Sequence, residues 1–146
     1  MVIPESDKNG NLPPGIFEAT IEEVEERFSI NFQRKKLFGL LLEVLAIFRN
    51  CGCPEVYLDG SYITNKDEPE DYDLCYEPTG INATDEFFEF LKNKDRRKER
   101  YGGDIFPRMP EPPYHYDHVV HWQIDGRNDD AEKGILKILL RSETAL

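Results

Sequence analysis

Val56-Tyr57-Leu58-Asp59-Gly60-Ser61, nine residues, then Asp71-Tyr72-Asp73-Leu74-Cys75-Tyr76: this stretch decides the fold of the 146-residue chain. Each end of it alternates as a strand does. Val56 and Leu58 share one face while Tyr57 and Asp59 point the other way. Across the gap, Tyr72, Leu74 and Tyr76 oppose Asp71, Asp73 and Cys75. The alternation therefore puts the Asp71 and Asp73 carboxylates side by side on one face. Two carboxylates so placed repel unless a proton or a cation lies between them. Oxygen donors of this kind suit a hard divalent cation such as magnesium, and a metal pair held there can clamp a triphosphate. Gly60 lets backbone amides approach phosphate oxygens without a Cβ in the way, and Ser61 adds a hydroxyl to the same cradle.

Outward from this centre, the order of elements predicts helices, strand, strand, helix, strand, strand. That is an α/β fold of the α+β kind, a mixed β-sheet flanked by helices. Residues 1–19, with Asn9-Gly10 and Pro13-Pro14-Gly15, read as an irregular arm, and residues 20–146 as one domain. Thr20 and Glu23 form a capping box ahead of Ile21, Val24 and Phe28. Asn31 caps a helix through Asn50, which buries Leu37, Leu40, Leu41, Val44, Leu45 and Phe48; Gly52 and Pro54 end it. Thr84 begins a helix to about Asn93 that buries Phe87, Phe88 and Leu91. Tyr101–Phe106 and Val119–Ile124 read as strands and Pro107–Pro113 as a loop between them. Ile135–Leu140 fits either a strand or a short helix.

Composition limits the partners. With 18 basic and 29 acidic residues the net charge is -11, a surface that repels nucleic acid at long range. A polyphosphate or RNA must be met by bound cations or by a local basic patch, such as Lys92, Lys94, Arg96, Arg97, Lys98 and Arg100, which reads equally as a solvated helix end. No apolar run reaches the roughly 20 residues that span a bilayer, and Met1–Asn11 lacks the pattern of a signal peptide. A cytoplasmic location is expected. Cys51, Cys53 and Cys75 make no even disulfide framework and read as reduced, packed thiols. His115, His118 and His121 recur every third residue and share neither a helical nor a strand face. Trp122 reads as core.

The segment Tyr57-Leu58-Asp59-Gly60-Ser61-Tyr62-Ile63-Thr64, with Lys66, Pro69, Asp71 and Asp73, resembles the nucleotidyltransferase superfamily that includes polymerase β and the minimal nucleotidyltransferases of prokaryotic toxin–antitoxin systems. Within it, the segment looks like a small bacterial branch. The likeness runs from Val56 to about Phe106. It implies transfer of a nucleoside monophosphate from a nucleoside triphosphate to an acceptor hydroxyl, with Mg²⁺ or Mn²⁺ at Asp71, Asp73 and a third carboxylate. Asp104, which follows a helix and opens a strand, matches that third position, with Asp125 in reserve. Gly60 and Ser61 would hold the triphosphate. Tyr62–Asn65 stand where minimal members often carry an arginine, and Lys66 is the candidate substitute. The acceptor implied is RNA or protein, and a small helical protein partner is implied by the toxin–antitoxin relatives. Two other readings stay open: a non-catalytic interaction protein on the same fold, for instance one half of a toxin–antitoxin pair, and a simple cation-dependent phosphate binder.

Overall fold

The computed structural model describes residues 3–109, 116–141 and 143–146. In chain order the elements are β1 (Gly15–Glu18), α1 (Ile21–Phe28), α2 (Phe32–Asn50), β2 (Glu55–Asp59), β3 (Tyr72–Tyr76), α3 (Asp85–Lys92), α4 (Arg97–Tyr101), β4 (Gly103–Pro107), α5 (His118–His121), β5 (Ile124–Asp125), β6 (Ala131–Glu132) and β7 (Gly134–Leu139). Short 3-10 turns occupy Ser61–Ile63 and Lys94–Arg96. Five strands form one mixed sheet in the order β1-β7-β2-β3-β4, and β5 and β6 make a separate hairpin. β2 runs antiparallel to β3 and β7, while β3–β4 and β1–β7 are parallel pairs.

The helix starts follow from their caps. The Thr20 hydroxyl accepts from the Glu23 amide while the Glu23 carboxylate accepts from the Thr20 amide, and the Asn31 side chain accepts from the Arg34 amide. α2 buries Leu37, Leu41, Val44, Leu45 and Phe48 against Val56, Leu58, Leu74 and Tyr76 of the sheet, which is why those strands read as alternating. Burying a Leu or Val side chain stabilises by roughly 1.5–3 kcal/mol, so this seam fixes one sheet face. The opposite face is only partly covered, by Val119 and Trp122 of the α5 segment over Tyr57, Cys75 and Ile135. Its uncovered end is where the aspartates emerge.

Several expectations need correction. Residues 1–19 are not irregular throughout: Gly15–Glu18 extend the sheet beside β7. Val119–Ile124 is not a strand, because Asp117 caps the Val119 amide and starts a helical turn; only Ile124 and Asp125 pair, in the small hairpin. Tyr101 ends α4, so the following strand begins at Gly103 after the left-handed Gly102. On α3 it is Phe87 and Phe90 that are buried, while Phe88 and Leu91 face outward. Gly134–Leu139 resolves as a strand. The three cysteines are free and buried. His115, most of the proline loop and the first two residues lie outside the described residues. No helix among the described residues is long and apolar enough to cross a membrane.

Candidate functional site

Asp59 ends β2, Asp73 is the second residue of β3 and Asp104 the second of β4. The strand registers pair Asp59 with Asp73 and Asp73 with Asp104, so three carboxylates stand in a row across adjacent strands on the sparsely covered face. Asp71, two residues before Asp73, extends the row along β3. Asp73 lies at its centre and its carboxyl is pushed up to about 6, first by burial and then by the charges of Asp59, Asp104 and Asp71. Asp104 thus does lie beside Asp71 and Asp73. Asp125 does not: its carboxylate accepts from Asn11 Nδ2 at 2.7 Å, Asn128 Nδ2 at 2.6 Å and the Arg127 amide at 3.0 Å. Those bonds, Asn128's and Asn11's foremost, hold it below the ordinary carboxylate value. It organises the β5–β6 turn.

Two ammonium groups answer the row at its ends. Lys98 Nζ, on α4, bridges Asp71 Oδ2 at 3.0 Å and Asp104 Oδ2 at 3.1 Å, and these hydrogen bonds raise its own affinity for its proton. At the other end Lys133 Nζ lies 2.5 Å from Asp59 Oδ1, in a pair whose side chains are only 16% and 6% exposed. The Lys98 bridge is the one member of the basic cluster 92–100 that joins the site; Arg100 pairs with Glu43, and Arg97 packs over the Phe90 ring.

Gly60 separates the row from a polar cavity. Its φ of +89° and ψ of -175° suit glycine alone, and a Cβ there would stand 3.0 Å from Asp73 Oδ2 and 3.1 Å from the Asp73 nitrogen. The cavity has a volume of about 140 Å³ and is lined by Gly60, Ser61 and Thr64, by the cations Lys66, Arg127 and Lys133, and by Asn11, Asp125 and Asn128. A larger hollow of about 350 Å³, between Ala19–Glu23 and Ile138–Arg141, shares no residue with the aspartate row. The loop that carries Ser61 to Lys66 is pinned from below by Arg34 of α2. Its buried guanidinium donates to the carbonyls of Tyr62 (2.5 Å), Thr64 (2.8 Å), Lys66 (2.5 Å) and Phe28 (3.3 Å).

Asp71, Asp73 and Asp104 are therefore brought together, and Gly60, Ser61 and Lys66 line the adjoining cavity. Sequence reasoning missed Asp59 and Arg127 as members, named Lys98 only within a basic run that read equally as a solvated helix end, and missed that the N-terminal arm supplies Asn11. Asp59 alone carried a readable signal, since it shares a strand face with Tyr57 and abuts Gly60.

The family of unknown function (DUF6932) matches residues 4–139. The chain belongs to that family. Comparison with curated proteins and with solved structures gave no match. Among the described residues of this DUF6932 chain, no group of three or more His, Cys, Asp or Glu side chains is gathered as a metal-binding cluster. The reason is visible: Asp71 and Asp104 close on Lys98, and Asp59 closes on Lys133. The fit to a divalent cation is one of donor type. Every donor is a hard carboxylate oxygen, and the Lys98 ammonium already stands between two of them as a cation would.

Proposed function

We propose that this chain is a metal-dependent nucleotidyltransferase that moves a nucleoside monophosphate from a nucleoside triphosphate to an acceptor hydroxyl on RNA or protein. The observation that carries this reading is the register of Asp104 with Asp73, beside a cation-lined cavity and separated from it only by the Gly60-Ser61 turn. In a protein of net charge -11, three cations converging on one small cavity supply the local attraction a polyphosphate needs.

Asp71, Asp73 and Asp104 are the residues that would hold Mg²⁺ or Mn²⁺, which when bound supplies positive charge at the reacting phosphoryl oxygens. The chain's own part is positioning. Ser61 and the neighbouring backbone hold the triphosphate tail, and Lys66 and Arg127 neutralise it. Asp104, at the open edge of the sheet, faces the acceptor and takes its hydroxyl proton. The acceptor oxygen bonds to the α-phosphorus while the bond to the bridging oxygen breaks, and pyrophosphate leaves.

The test offers labelled nucleoside triphosphates with Mg²⁺ and with tRNA or protein acceptors. Incorporation and metal-dependent nucleotide binding are expected in the wild type and lost in Asp71→Asn/Asp73→Asn. Nucleotide binding indifferent to both changes would overturn the reading. The Lys98 bridge favours a second reading, a non-catalytic relative that binds a small helical protein, for instance as half of a toxin–antitoxin pair, because an ammonium closing Asp71 and Asp104 competes with a metal. That reading predicts triphosphate binding without incorporation, even in Lys98→Met, where the bridge is gone.

A further inference from the structure

Lys133 belongs to two places at once. The residue lines the cavity, while its ammonium lies on Asp59, the carboxylate that pairs in register with Asp73. The other two cavity cations differ: among the described residues, neither Lys66 nor Arg127 makes a side-chain ion pair. A phosphate oxygen in the cavity thus finds two cations outside any salt bridge, of which Arg127 lies in the field of Asp125, and a third already bound to an aspartate.

We propose that Asp59 and Lys133 form a displaceable pair coupling the cavity to the aspartate row: a condensed phosphate draws the ammonium off Asp59, and the freed carboxylate joins Asp73 in binding a divalent cation. The proposal rests on the reading above for the identity of the cation and the anion. Its physical basis is the burial of Asp59, whose side chain is only 6% exposed. An ionised carboxylate in that position is costly without a partner, because removing one member of a buried pair leaves the other's charge uncompensated. Phosphate binding alone must bear that cost. A divalent cation at Asp59 and Asp73 removes it. Each ligand therefore tightens the other, by the same factor in both directions. Lys133 is in this scheme a positioning residue for the anion, and Asp59 a reserve ligand for the cation.

The sign of one substitution separates this from a purely structural ion pair. In Asp59→Asn, Lys133 is released permanently and its flexible stem can carry the ammonium into the cavity. With EDTA present, inorganic pyrophosphate should bind the Asp59→Asn protein roughly tenfold tighter than the wild type by titration calorimetry, within the range usual for coupled sites. Added Mg²⁺ at fixed free pyrophosphate should tighten binding to the wild type and do so much less for the variant. Lys133→Met should lose pyrophosphate binding. Should that variant fold poorly, Asp59→Asn/Lys133→Met removes the buried charge and tests the same loss. Unchanged or weaker metal-free binding to Asp59→Asn would overturn the coupling, while metal-dependent nucleotide binding lost in Asp71→Asn/Asp73→Asn would still uphold the nucleotidyltransferase reading. Tighter pyrophosphate binding in Asp59→Asn with no nucleotide binding at all would do the reverse.

Discussion

Gly60→Ala is the substitution whose cost can be worked most directly from the structure. The backbone at Gly60 has φ +89° and ψ -175°, a region that side-chain-bearing residues enter at about 1–3 kcal/mol. The new Cβ would also meet Asp73 at two atoms, Oδ2 at 3.0 Å and the backbone nitrogen at 3.1 Å. The carboxylate can rotate away; the nitrogen, fixed in β3 by the ladder to β2 and β4, cannot. Forcing a strand to yield adds about 1–3 kcal/mol. The sum is about 2–6 kcal/mol, a large part of the roughly 5–15 kcal/mol that holds a domain together. With a urea slope near 2 kcal/mol per molar, the midpoint should fall by about 1–3 M. Gly39→Ala is the internal control: that glycine sits in α2 with nothing within 4 Å of a Cβ, and alanine there should stabilise by up to about 1 kcal/mol. A Gly60→Ala midpoint within about 0.3 M of wild type, corresponding to roughly 0.6 kcal/mol, would refute the claim that Asp73 and the Gly60 turn are packed against one another.

Two further predictions follow from buried charge. Arg34→Met removes the donor to three carbonyls that pin the Ser61–Lys66 loop and to the Phe28 carbonyl at the end of α1; we expect a loss of about 3–5 kcal/mol and faster proteolytic cutting within residues 61–70, whereas wild-type stability would mean that the loop holds itself. Asp73, whose folded value of about 6 lies above its ordinary 3.8, binds its proton more tightly folded than unfolded. The protein should therefore lose stability as pH rises from about 4 to about 6. Asp73→Asn should exceed the wild type by about 1–3 kcal/mol at pH 7.5 and match it near pH 4, read from urea unfolding at both pH values; a variant weaker than wild type at both would contradict this.

The two strands that carry the aspartates were legible because they alternate: Val56 and Leu58, Tyr72 and Leu74 face α2, which leaves Asp59 and Asp73 no side but the other. Asp104 was legible because a glycine pair ahead of it ends a helix and opens a strand. Val119–Ile124 misled for the opposite reason. Its β-branched residues favour a strand, but the Asp117 carboxylate caps the Val119 amide at 3.0 Å, and tertiary contact with Cys75 and Tyr57 rewards a helical turn instead. The β1 strand escaped notice because its pairing partner lies more than a hundred residues away, at β7. The contacts of the site's cations are also long-range. Lys133 reaches Asp59 across 74 residues and Arg34 reaches Lys66 across 32, and no local periodicity records such contacts. Lys98 read as one member of a solvated run because its two acceptors are set by the β3–β4 register.

The aspartate row is best tested by electron paramagnetic resonance of Mn²⁺ titrated into the protein with pyrophosphate present. The account predicts a bound Mn²⁺ signal in the wild type that disappears in Asp71→Asn/Asp73→Asn while the fold, checked by circular dichroism, persists. An undiminished bound signal in that double variant, or none in the wild type at millimolar Mn²⁺, would contradict it.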